Sequence, residues 1–444
     1  MFSACTNSSG KIVQEKDFLM ITHSLSLRLG LFVFGVFFTI NALCVDTVSI
    51  QNISVRQRWP WNGLVDIDYE VVTDNPEIRV SIYATGRDGQ NGRSVRMAAL
   101  SGDGVDNRVG AGRYRMTWDS VADAPALNTA EFTVSLQTVS GTPLYVVVDL
   151  SEGDSPAYPS YPVTYLDCEP DNGWTDEYKT TKMVLRLIKS GTFIMGSPEV
   201  EMGRNAANET QHTVTFSKPF YIGVFEVTQK QWELVMGTPS ASTFKGDMRP
   251  AGLMSYNQIR GTTLGSQWPA SNTVDSTSFM GRLRIRTPFV FDLPTDAQWE
   301  YACRAGTVEA LNNGKNLTGT QNCPNMAEVG RYLGNQNDGK GGYSGAAHTT
   351  VGSYLPNAWG LYDMHGNVWE WTRDWYVEDL GINDVVDPAG PASGSYRVIR
   401  GGTYDYRASD CRSACRANYF FFNTAPTQSG NNVGFRVQAT PVTP

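Results

Sequence analysis

The sequence is poor in charge. Of its 444 residues, 18% are Asp, Glu, Lys or Arg, against about a quarter in an ordinary soluble domain. It has only four histidines and seven cysteines. It has no basic run and no zinc-type Cys/His spacing, and its net charge is -8, which together argue against a nucleic-acid partner. No phosphate loop, dinucleotide fingerprint or Ser/His/Asp arrangement is legible. His212, His348 and His365 are scattered, with no pair at metal-ligand spacing, and each is expected to be hydrogen-bonded in a polar role. What is present in quantity is glycine, 43 residues, and tryptophan, 11 residues. Little charge with much glycine and aromatic side chain suits a loop-rich extracellular protein of the α+β class.

Residues 1–45 read as an export signal, cleaved or kept as an anchor. Arg28 precedes an almost wholly apolar run, Leu29 to Cys44, which is the charged and then apolar order of a secretory leader. The run is short for a membrane span, which needs about 20 residues. With the leader cut, the mature chain has no transmembrane segment. The expected location is secreted, periplasmic or at the cell surface.

The rest divides by pattern. Residues 46–150 contain "VSIQNISVRQRW", "LVDIDYEVV", "IRVSIYAT", "RYRMTWD", "AEFTVSLQTV" and "PLYVVVDLS". These alternate or run apolar at strand length and are parted by turn residues, so a β-sandwich of immunoglobulin type is expected. Residues 151–180 are rich in proline and small polar residues and read as an extended linker. From 181 to 440 two helices stand out. Thr228 with Gln231, and Thr295 with Gln298, form capping boxes, and Gly237 and Gly306 supply the stops. In the second helix Trp299, Ala302 and Cys303 share one face, which is directed at the core.

Five cysteines follow the leader: Cys168, Cys303, Cys323, Cys411 and Cys415. Export brings oxidising conditions and favours disulfides. Five is odd, so one thiol stays unpaired within the chain. Cys411 and Cys415 are four apart, too far for each other in a strand and badly placed on a helix.

One stretch carries candidate chemistry, "LYDMHGNVWEWTRDW" at 361–375. Asp363 and Glu370 bracket Gly366. With the carbonyls of Gly366 and Val368 they make an all-oxygen set, which suits Ca²⁺. On spacing alone the plainer account is favoured: a turn with a solvated Asp363, and Glu370 paired with an arginine.

Taken together, the motifs from about 180 to 440 resemble the formylglycine-generating enzyme family, the sulfatase-modifying factor domain. They run in order as "GTFIMGSPE", "PFYIGVFEVTQKQWELVMG", "LPTDAQWEYACRAGT", "NAWGLYDMHGNVWEWTRDWY", "RVIRGGTYDY" and "NNVGFRV". The resemblance implies a variant C-type-lectin-like fold with little regular structure. It also implies calcium, held at one site by Asp363, Gly366, Val368 and Glu370, which reverses the preference drawn from spacing. A second family site begins at Asn325 and Met326. The resemblance further implies a disulfide from Cys303 to Cys415 or Cys411.

Catalytic members bind copper through two cysteines five apart. The second matches Cys411, but the first falls on Tyr406, and a phenol does not replace a thiolate toward a soft metal. The family's active-site serine and tryptophan fall on Thr403 and Trp369. Copper is therefore not expected, and no residue is assigned as catalytic, with Cys411 the one possibility. The expected function is a calcium-stabilised binding module for a protein, peptide or glycan. The alternatives are an active oxidase that converts a sulfatase cysteine to formylglycine, and an iron-dependent sulfoxide synthase, for which the chain shows no His-rich site.

Overall fold

Alternation builds the first region. In Leu64–Thr73, residues Val65, Ile67, Tyr69 and Val71 face one side and are buried, as the two-residue period of a strand requires. This strand lies between Val48–Gln57 and Gly112–Asp119 in an antiparallel sheet that ends at Leu100–Gly102. Arg93–Val95, Ser81–Asp88 and Phe132–Val139 form a second sheet. Side chains of both sheets share one apolar cluster around Ile67, Met116 and Trp118. The Trp118 ring stacks on Phe132 of the other sheet at 5.1 Å. The computed structural model describes residues 48–441, apart from 61, 91, 96, 106, 126, 140, 154–159, 338–346 and 418–425. The expected leader lies outside the described residues.

The second region is also mostly strand, with few and short helices. Its largest sheet is antiparallel, in the order Phe289–Asp292, Gln438–Pro441, Phe220–Gly223, Lys182–Ile188, Tyr145–Asp149, Val163–Leu166. Two strands of that sheet correct the sequence reading. Tyr145–Asp149 was assigned to the first region but pairs with Lys182–Ile188. Its first four residues are all buried, and a continuous apolar run of this kind needs cover on both faces. Val163–Leu166 falls inside the expected linker, yet it hydrogen-bonds along Tyr145–Asp149 and buries Val163 and Tyr165. Residues 160–180 are thus part of the second region's core rather than a free connector.

Both expected helices form. Gln229–Met236 and Asp296–Arg304 each carry the capping box read from the sequence. Trp299, Ala302 and Cys303 are fully buried. The sequence did not reveal Tyr256–Arg260, Phe279–Arg286 or Pro324–Val329. A smaller sheet, Arg416–Ala417, Arg397–Arg400, Trp369–Trp375 and Val433–Gly434, lies at the centre and presents the site. Among the described residues no helix is long and apolar enough to cross a membrane.

Candidate functional site

The segment entering strand Trp369–Trp375 is bent by three left-handed residues, Asp363, Gly366 and Asn367, with φ of 57°, 75° and 60°. His365–Gly366 runs parallel to Gly330–Arg331, and a Cβ on Gly366 would overlap the Arg331 carbonyl. Only glycine fits there.

Asn367 fastens this turn. Its backbone N–H donates to Arg331 O at 2.8 Å, and its carbonyl accepts from Tyr404 N–H and the Thr403 hydroxyl. Its side-chain oxygen accepts from Thr349 N–H at 2.8 Å, and its amide donates to Glu226 at 2.5 Å. The other Glu226 oxygen accepts from Val368 N–H at 3.2 Å. Glu226 is fully buried.

Glu370 pairs with Arg436 on both oxygens, each at 2.6 Å, and takes the Trp299 indole N–H at 2.7 Å. Arg436 also donates to the carbonyls of Gly223 and Tyr362. The plainer account of Glu370 as half of an arginine ion pair therefore describes one half of the site. Asp363 departs from that account: it is 1% exposed rather than solvated. One of its oxygens accepts from Gly352 N–H at 2.6 Å, and the other has no partner.

Three buried carboxylates, Glu226, Asp363 and Glu370, thus face one guanidinium. Burial pushes the Asp363 carboxyl up to about 6, with the Glu370 charge adding to the rise. Burial, then the charges of Asp363 and Glu370, hold Glu226 well above the usual carboxylate range. A hard cation fits this imbalance. Asp363 has a wholly free oxygen, and Glu370 keeps a lone pair beyond its bonds to Trp299 and Arg436. Among the described residues no three His, Cys, Asp or Glu converge as metal ligands. Any ion here would lean on carbonyls, those of Gly366 and Val368, and would tie the turn to the strand.

Asn325 and Met326 are elsewhere, in helix Pro324–Val329 beside a separate apolar cluster. The Asn325 carbonyl accepts from the Asn313 amide and the Met326 carbonyl from Gly330 N–H. The structure does not bring this pair to the first site.

The expected disulfide is not formed: Cys303, Cys323, Cys411 and Cys415 are free thiols. Cys303 Sγ lies 3.6 Å from the Ser413 hydroxyl and 3.7 Å from the Met364 carbonyl.

Cys411 is fully buried, and among the described residues only the Thr403 carbonyl lies within hydrogen-bond reach of its sulfur, at 4.0 Å. Burial, then the nearby Asp410, push its thiol well above the ordinary range. Tyr406 packs edge-on to Trp369 at 6.0 Å. Tyr406 thus stands where the resemblance puts the first copper cysteine, and Cys415 is near enough to Cys411 to add to the rise.

The histidines are unlike one another. His365 Nδ1 meets the Cys411 carbonyl at 2.6 Å and must donate to it, while Nε2 accepts from Asn312 N–H at 3.0 Å. Burial drops its pKa to about 4. His348 departs from the expected polar role. It is fully buried with neither nitrogen bonded, packed edge-on to Phe244 and Tyr404.

Glu226 and Arg436 were not singled out in the sequence, although both stand inside quoted motifs, "FEVTQ" and "NNVGFRV". Each is an isolated charge in an apolar setting, and that was the available signal.

A family model described as the sulfatase-modifying factor enzyme 1-like domain matches residues 174–440. The formylglycine-generating enzyme of Mus musculus is 37% identical over 156 residues, which cover 33% of this chain and 38% of that protein. That of Bos taurus is 28% identical over 297 residues, 58% of this chain and 75% of the relative. Matched stretches thus span little more than a third of one relative and three quarters of the other. Among solved structures, PvdO from Pseudomonas aeruginosa aligns over 58% of this chain and 94% of its own, at 25% identity and a TM-score of 0.46.

Proposed function

The chain belongs to the sulfatase-modifying factor enzyme family, and from that premise we propose that this member is an exported, calcium-stabilised binding module without formylglycine-generating activity. The observation that carries this reading is the pairing of Tyr406 with a sealed Cys411. The resemblance's soft-metal pair has lost one sulfur to Tyr406, and the other is fully buried, its thiol pushed up by that burial. In this reading residues 48–139 form an immunoglobulin-like sandwich that presents a lectin-like domain outside the cell. Its ligand is a protein, peptide or glycan.

Calcium belongs to the same reading. We place one ion at Asp363, Gly366, Val368 and Glu370, and keep Asn325 and Met326 as the start of a second site, since each of their carbonyls accepts one bond and has a further lone pair. Bound at the first site, the ion supplies positive charge to a carboxylate-rich interior. Glu226 positions the turn through Asn367 and Val368.

The relatives' printed names favour a second reading, an oxidase acting on a sulfatase cysteine. Copper(I) titration of the purified protein, with turnover of a cysteine-containing sulfatase peptide, separates the two. The module reading expects neither tight copper nor peptide aldehyde, and either result overturns it. Calcium has its own test. EDTA should lower the melting temperature, and Glu370→Gln should reproduce much of that drop. An unchanged melting curve with EDTA removes calcium from the account.

A further inference from the structure

Strand Trp369–Trp375 leads away from the carboxylate site to Arg373, which lines a cleft of about 210 Å³ with Phe216, Lys218, Trp268, Gln298 and Asp387. The Arg373 guanidinium lies over the half-buried Trp268 ring at 4.4 Å. It is poorly satisfied for a cation that is 6% exposed. Its Nε is enclosed and has no partner among the described residues. Its other nitrogens make only long bonds, 3.2–3.4 Å, to Asn272, Asp292, Gln298 and Gln438.

Asp292 is the one carboxylate bonded to it. That same group pairs more closely with Arg260, at 2.6 Å, and with Arg284, at 3.0 Å. One negative charge thus serves three guanidinium groups. Lys218 lines the same cleft, exposed and with no ion pair among the described residues. The only carboxylate of the cleft itself, Asp387, already accepts from the backbone N–H and hydroxyl of Ser217.

We propose that this cleft binds an acidic sugar, a uronic-acid unit. Its ring face lies on Trp268, its carboxylate sits between Lys218 and Arg373, and its hydroxyls meet Gln298 and Asp387. An under-satisfied guanidinium beside an ammonium calls for an anion. The half-buried indole supplies a flat apolar wall for a ring. Asp387 disfavours a doubly charged phosphate ester but accepts from a hydroxyl. The inference gives the binding-module reading a ligand class and is independent of calcium.

The test is calorimetric titration of the full chain with D-glucuronate, D-glucose and benzoate. Glucuronate should bind, and glucose should bind at least about tenfold more weakly. Lys218→Glu, a surface change, should weaken glucuronate by about tenfold or more without moving the melting temperature. Trp268→Ala should abolish binding, and EDTA should not alter it. The proposal is overturned if glucuronate does not bind, if glucose or benzoate matches it, or if Lys218→Glu leaves affinity unchanged. Peptide turnover would defeat the module reading and leave this titration readable on its own.

Discussion

The two regions keep their charges in opposite places. In residues 48–139 the ion pairs lie outside the sheets: Arg115–Asp68 has side chains 47% and 33% exposed, and Arg56–Asp68 has 55% and 33%. The second region has exposed pairs too, such as Lys315–Glu328, but its distinguishing pairs are inside. Arg436–Glu370 and Arg400–Glu300 are 0% exposed on both sides, and Arg412–Glu209 is 1% on both. The difference follows from secondary structure. Ladders of the first region satisfy its backbone, so its core is mostly apolar, with Asp66 and Asp88 its buried carboxylates. The second region threads long loops through its interior, and their carbonyls need donors. Buried arginines provide them. Arg412 donates to Ser409 and Gly203, Arg400 to Ser413 and Cys415, and Arg304 to Gly196, Val308 and Glu309. A guanidinium has five donors, enough to hold a carboxylate and several carbonyls at once.

The contrast is tested most severely at Arg412. Arg412→Met would leave Glu201 and Glu209 buried without their cation and free two loop carbonyls. Removing one partner of a buried pair costs about 3–5 kcal/mol. Denaturant unfolding followed by hydrogen exchange should show the loss in residues 174–440 and leave the first region's protection intact. A cost below about 1 kcal/mol would mean that the interior arginines do no more than surface ones.

The first region should break through its apolar core instead. Ile67 is fully buried between the sheets, so Ile67→Ala should cost about 3 kcal/mol from lost transfer energy and the cavity left behind. The exchange pattern should be the reverse of that for Arg412→Met. Loss of protection in both regions together would show that they unfold as one unit and would dissolve the comparison.

The pattern of burial also decides what was legible in the sequence. Val65, Ile67, Tyr69 and Val71 announce themselves because a strand's faces alternate within a few residues. The capping boxes at Thr228 and Thr295 are equally local. The segment around Asp363 and Glu370 could be read because a turn and a strand place both in one motif. The Arg436–Glu370 and Arg412–Glu209 pairs could not, since their members lie 66 and 203 residues apart. Nothing local distinguishes Glu226 from a surface glutamate except the apolar run before it. Tyr145–Asp149 was placed in the wrong region for a related reason: its apolar run indicates burial but does not say against which neighbour.

A pH effect of intermediate size should arise only inside the second region. Asp374 accepts from the Trp268 indole and from Asp296 N–H, both at 2.9 Å. Burial, and then the charge of Asp296, push its carboxyl up to about 6 from 3.8. The native state therefore holds this proton more tightly than the unfolded chain. The stability from that proton is complete below about pH 4 and is lost as pH rises through about 6. The shift corresponds to roughly 2–3 kcal/mol. Asp374→Asn should reduce the slope of stability between pH 4 and 6, leaving the part that Asp363 and Glu226 contribute. An unchanged slope would assign the dependence to another group.

The smallest effect sharpens the contrast through salt. Arg115 sits on the outer face of its sheet and shares Asp68 with Arg56, so losing Arg115 leaves Asp68 in water and still paired. Exposed pairs gain little because solvent screens both charges and each long side chain gives up rotamer freedom to hold the contact. Arg115→Ala should therefore leave the unfolding midpoint unmoved, or shift it slightly at low ionic strength only. Raising salt to about 1 M shortens the screening length to about 3 Å and should erase even that. The Arg412→Met loss arises where no counter-ion reaches and should persist at the same salt. If the two substitutions responded to salt alike, burial would not be what separates the two regions.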